Sequence, residues 1–150
     1  MSKKETIVAN KSTIEHYIPQ RPPIVMVDEL VHSEGTTTHT RFTPLANNFF
    51  CTDGVFRESG LIEHMAQSAA AGVGYWYKSQ QKEVPLGYIG AVQKFKLEQL
   101  PPIATTLDTH IETTHQVLNT KVIKATTYLQ GHTVASCEMK IFIDDKTINP

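Results

Sequence analysis

The sequence lacks most of what would mark a chain for a special setting. Among 150 residues there are two cysteines, Cys51 and Cys137, too few for a disulfide framework. A reducing, cytoplasmic setting is therefore the expectation. No apolar run approaches the ~18 residues of a membrane span, and none follows the N-terminal lysines as it would in a signal peptide. Charge of one sign is missing too: 14 Lys and Arg against 15 Asp and Glu leave a net charge of -1, with no basic cluster. That argues against nucleic acid or an anionic membrane as partner. There is no internal repeat, low-complexity tract or dividing linker. Apolar residues make up 40%, enough for a packed core, and charged residues only 19%, too few for a disordered tail. One domain spanning 1–150 is expected, with residues 1–10 loose.

What is present reads as strands around one helix. Ser12 or Thr13 is placed to cap a short helix through Ile14, Glu15, His16 and Tyr17. Pro19 ends it, and Pro22 and Pro23 impose an extended stretch. Ile24 to Val31 predicts a first strand and the threonine-rich Thr36 to Leu45 a second, after a turn at Glu34-Gly35. From Ser59 to Gln80 the spacing of Leu61, Ile62, Met65, Ala69 and Val73 is helical, with Ser59 as N-cap. This helix is apolar on most sides and crowded with Ala and Gly, so it is expected to be gripped on several faces rather than to lie on a surface. Four more strand-like runs follow: Leu86 to Leu97, Thr105 to His115, Leu118 to Leu129, and Thr133 to Ile143. Two strands, one buried helix and four strands imply an α+β domain, an antiparallel sheet wrapped around a central helix, as in the hotdog fold.

Several segments, taken in order, resemble the 3-hydroxyacyl-ACP dehydratases of the FabZ type. Ile18-Pro-Gln-Arg-Pro-Pro-Ile-Val-Met-Val-Asp-Glu-Leu30 is similar to the segment that leads into their first strand. Leu61-Ile-Glu-His-Met-Ala-Gln67 is similar to the start of their central helix. Gly87 to Lys96 resembles the next strand, and Gly131 to Glu138 the last hairpin. One departure stands out. The family carries Gly-His-Phe-Pro before the helix, with a catalytic His; the equivalent stretch here, Phe49 to Phe56, holds neither His nor Pro. Asp53 falls where that His would fall. The small hotdog proteins of aryl-polyene and flexirubin-type pigment pathways share this pattern, and the chain resembles them most.

Dehydration needs a base for the proton beside the thioester carbonyl, an acid for the leaving hydroxyl, and donors for the carbonyl oxygen. Glu63, in the first turn of an otherwise apolar helix, is the leading acid or base. The helix dipole favours its charged form and burial its neutral form. The bland alternative is a first-turn Glu favoured by the dipole alone. Gln67 shares the face of Glu63 one turn on. The resemblance implies that it orients the carboxylate or binds substrate, and the plain reading is that it satisfies a loop backbone. Gly60 and Leu61 would offer backbone N–H donors if the helix starts at Ser59. Asp53 is either a substitute base or, beside Gly54, a turn residue. His64 points about 100° away from Glu63, to packing, a dimer seam or a partner's site. His110 and His115, five apart, would face opposite sides of a strand, so no metal site is expected. Cys51 reads as packing, with no base beside it.

A lone sheet of this kind leaves an edge strand open, which a dimer closes. The resemblance implies a thioester substrate on acyl carrier protein or CoA, no cofactor beyond the substrate's own phosphopantetheine, and a homodimer or a heterodimer with a related hotdog subunit supplying the missing His. Two rival functions remain open: a hotdog thioesterase working with the helix carboxylate, and a non-catalytic acyl-binding subunit.

Overall fold

The computed structural model describes residues 6–144. Six strands form one antiparallel sheet in the order β1-β2-β6-β7-β8-β5. These are β1 (Glu29–Glu34), β2 (Thr37–Phe42), β5 (Leu86–Leu97), β6 (Leu107–Val117), β7 (Thr120–Leu129) and β8 (His132–Asp144). A two-residue hairpin, β3 (Cys51–Thr52) with β4 (Val55–Phe56), precedes the helix α1 (Glu58–Ser79). This is the expected α+β hotdog arrangement.

The sheet alternates as a half-buried sheet must. Leu107, Thr109 and Ile111 of β6 and Ile123, Ala125 and Thr127 of β7 point inward, as do Cys137, Met139, Ile141 and Ile143 of β8. They meet Leu61, Met65 and Ala69 of α1, with Phe42 and Phe56 closing one end. A second apolar cluster covers another face of the helix, where Ala71 packs against Ala9, Ile14, Ile18, Val27 and Leu30. The small residues serve this grip. A Cβ at Gly74 would stand 2.8 Å from the backbone carbonyl carbon of Tyr17, so only glycine admits that chain so close.

Several local expectations change. The helix begins at Glu58, and Arg57, two residues before the expected Ser59, is its N-cap in extended conformation without a side-chain cap bond. Ser59 is thus inside the helix. The run Ile24 to Asp28 is not a regular strand, because its backbone is held by helix side chains; β1 starts at Glu29. The short early helix is a 3-10 turn over Ile14–His16, with Thr13 at its N-cap making no side-chain cap bond. Residues 1–5 lie outside the described residues. Ala9, expected to be loose, is buried and exchanges both backbone hydrogen bonds with Leu30, at 3.0 and 2.9 Å.

His110 and His115 also differ from expectation. A bulge between Thr113 and His115 restores the parity of β6, so that His110 opposes Thr126 and His115 opposes Val122. The two residues opposed to the histidines are themselves an even step apart on β7, so both histidines emerge on one face. His110 stacks on His39, and His39 Nε2 lies 2.7 Å from Asp108, which also accepts from Arg41 at 2.9 Å. Among the described residues no group of three or more His, Cys, Asp or Glu is arranged to hold a metal. No helix among them is long and apolar enough to cross a membrane.

Strand β5 is the open edge. Leu86, Tyr88, Ile89, Val92 and Leu97 are all exposed along it. A long apolar edge without a pairing strand is a surface made to be covered.

Candidate active site

The first turns of α1 carry two polar groups on one face and one on another. Gln67 is fully buried and its amide is saturated. Its Oε1 accepts from the Met26 N–H at 2.6 Å, and its Nε2 donates to the Ile24 carbonyl and to Glu63 Oε1, both at 2.8 Å. The two roles weighed for it are therefore combined: it satisfies a loop backbone and also orients the carboxylate. Glu63 Oε2 has no hydrogen-bond partner among the described residues, so one oxygen is fixed and the other is available.

That carboxyl lies at the wall of a cleft of about 220 Å³. Ala66, Ala70 and Val73 of the helix form one side, Leu86 to Ile89 of β5 the other, and Ile141 and Ile143 the floor. The small helix residues leave this space open. Apart from Glu63, the polar side chains on the wall are Gln20 and Tyr88. Gln20 was not singled out in the sequence. Its Oε1 is buried and has no hydrogen-bond partner. Arg21 holds the loop that carries it by donating to the Ile18 and Gln20 carbonyls, each at 2.8 Å.

His64 faces the sheet, not a dimer seam. The Met26 carbonyl can only accept, so Nδ1 donates to it, at 2.6 Å. Nε2 then accepts from the Thr109 hydroxyl at 2.6 Å, which in turn accepts from Thr127 at 2.8 Å. Burial drives the ring's pKa down to about 4, against a smaller upward effect of the Met26 bond. His64 is a neutral core residue that ties the helix to the sheet and to the 24–26 loop.

A family model describing the ApeP dehydratases matches residues 12–149. The chain belongs to the ApeP-like dehydratase family. No curated protein matches its sequence. Among solved structures it is similar to the dehydratase heterocomplex ApeI:P from Xenorhabdus doucetiae, with TM-score 0.82 at 17% identity over 89% of this chain and 92% of that one. It is also similar to a hypothetical thioesterase with coenzyme A from Streptococcus pneumoniae, with TM-score 0.63 at 15% identity over 77% and 84%. The PaaI protein of the Escherichia coli phenylacetic acid degradation operon gives TM-score 0.61 at 16% identity over 75% and 80%. At such identities these likenesses establish the hotdog fold.

Within this ApeP-like chain the remaining candidates separate. Gly60 keeps an N–H free of the helix ladder, and a Cβ there would fall 2.7 Å from Phe50 Cβ, so the helix start is packed tightly at that point. Leu61 is corrected: with the helix starting at Glu58, its N–H donates to the Arg57 carbonyl at 3.0 Å and is not available to a ligand. Asp53 and Gly54 are the two turn residues of the β3–β4 hairpin, with φ of 54° and 79°. This is the Asp-Gly turn that short hairpins favour. Asp53 is exposed and does not line the Glu63 cleft. Cys51 is half-buried, and burial raises its thiol pKa, which suits packing rather than attack.

Proposed function

We propose that this chain is one subunit of a two-chain dehydratase whose substrate is a 3-hydroxyacyl thioester on the phosphopantetheine arm of acyl carrier protein or CoA. The carrying observation is a carboxyl, Glu63, held by Gln67 in an apolar cleft that has no histidine on its wall and is bounded by the edge strand β5. A related hotdog subunit pairing along β5 would roof the cleft and bring the second proton-transfer group. The likeness in fold to the ApeI:P dehydratase heterocomplex supports this reading.

In the reaction a base of the second subunit takes the C2 proton. Electrons move into the C2–C3 bond, the C3–O bond breaks, and protonated Glu63 gives its proton to the departing hydroxyl as water. Gln67 keeps one carboxyl oxygen fixed, leaving Oε2 for that transfer. The chemistry is proton transfer alone, and the phosphopantetheine arrives with the substrate.

The test is turnover of a short 3-hydroxyacyl-ACP by the purified chain, alone and with the hotdog subunits that co-purify, read by mass spectrometry. Loss of water, reduced at least about a hundredfold by Glu63→Gln and seen only with a second subunit, is expected. A fully active homodimer would overturn the two-chain assignment. Release of free acid would make the protein a thioesterase, and unchanged turnover in Glu63→Gln would make this subunit non-catalytic.

A further inference from the structure

We infer that Gln20 is the residue that recognises the substrate's 3-hydroxyl group; this rests on the reading of the Glu63 cleft just given. Three observations lead there. Gln20 lines the same cleft as Glu63, whose wall is otherwise almost wholly apolar. Its side-chain carbonyl is buried and is the one described buried side-chain polar atom without a partner. Its backbone is held beside the cleft, because Arg21 donates to the Gln20 and Ile18 carbonyls while ion-pairing with Glu15 at 3.4 Å.

Buried acceptors are nearly always satisfied, and an orphan in a native fold calls for a reason. A carbonyl oxygen can only accept, so its missing partner is an O–H or N–H donor. The cleft holds one proton-transfer carboxyl and takes an otherwise apolar ligand. The donor that must stand beside that carboxyl at the moment of dehydration is the hydroxyl it protonates. Gln20 accepts the hydrogen of that hydroxyl and turns the oxygen's lone pairs toward Glu63 Oε2. Once water has left, the enoyl product offers no donor and Gln20 is orphaned again. The contact thus selects for substrate over product and over any acyl chain that lacks the 3-hydroxyl.

The measurement is binding of two pantetheine conjugates, 3-hydroxyhexanoyl and hexanoyl, each with an amide in place of the thioester, to the protein in the assembly in which it purifies. Wild type is expected to prefer the hydroxylated ligand by about tenfold, the factor that goes with one neutral hydrogen bond. Gln20→Met, which keeps the length and removes the acceptor, should abolish the preference by weakening only the hydroxylated ligand. It should also leave the melting temperature unchanged or raised, since a buried unsatisfied oxygen is gone; Gln20→Leu gives the same comparison in a second background. Equal weakening of both ligands, a preference retained in Gln20→Met, or a fall in melting temperature would overturn the inference. Glu63→Gln assayed alongside separates the two failures. If it is inactive while Gln20→Met keeps the preference, the Gln20 assignment alone fails; if it is fully active, the cleft reading and the Gln20 assignment fall together.

Discussion

His64 makes the folded state sensitive to acid in a way that can be calculated. Its ring has an ordinary pKa of 6.5 and is brought to about 4 by complete burial. The group is depressed on folding, so between those two values the unfolded chain binds the proton and the folded chain does not. Stability is therefore full above about pH 6.5 and is lost as pH falls toward 4, at a slope approaching about 1.4 kcal/mol per pH unit. Integrated from pH 7 to 4.5, the loss from this one residue is about 2–3 kcal/mol. For a chain of this size that corresponds to a drop of about 5–10 °C in melting temperature. The assay is urea unfolding at fixed protein concentration across that range, comparing wild type with His64→Gln, which can bond Met26 and Thr109 but cannot be protonated. His110, an exposed residue whose ring is also pushed down, by partial desolvation and then by His39, is common to both proteins and cancels. The variant should be less stable at pH 7 and should recover about 2–3 kcal/mol relative to wild type by pH 4.5. Parallel pH profiles for the two proteins would show that His64 is not the neutral, buried ring described.

Replacing Gln67 by Leu strands the Met26 N–H and the Ile24 carbonyl and should cost about 2–5 kcal/mol in chemical denaturation, with turnover falling as well because Glu63 loses its donor; a neutral effect on stability would refute the bridging role. Asp53→Asn keeps a residue that tolerates positive φ and should leave turnover within about twofold, whereas Asp53→Val should destabilise the hairpin by about 1–2 kcal/mol. A large loss of turnover in Asp53→Asn would restore the carboxylate as a base. Ile89→Lys, placing charge on the β5 edge, should abolish assembly with a partner in size-exclusion chromatography without unfolding the chain; an unaltered assembly would move the interface elsewhere.

The later strands were legible because their signals are local. β5 matches Leu86 to Leu97, and β8 was located by the alternation that follows the Gln130-Gly131 turn. The β3–β4 hairpin escaped notice because strands of two residues have no periodicity to read, even though its Asp-Gly turn is explicit. Ile24 to Val27 looks like a strand by composition, but its backbone partners are the side chains of Gln67 and His64, which no local pattern announces. The same division runs through the site. Glu63 and Gln67 were found as an i, i+4 pair on one helix face, and their hydrogen bond confirms that they meet. Gln20 reaches the cleft from a distant segment and looks like any polar loop residue until the fold is assembled.

The open outer edge of the apolar strand β5 has a consequence for how this protein must be made. A chain that leaves the ribosome with a row of unsatisfied backbone groups along one sheet edge and five exposed apolar side chains is a template for any similar strand it meets. In the two-chain assembly proposed above, the companions would have to be produced in step and in equal number, since copies in excess would have only each other, and aggregates, to turn to.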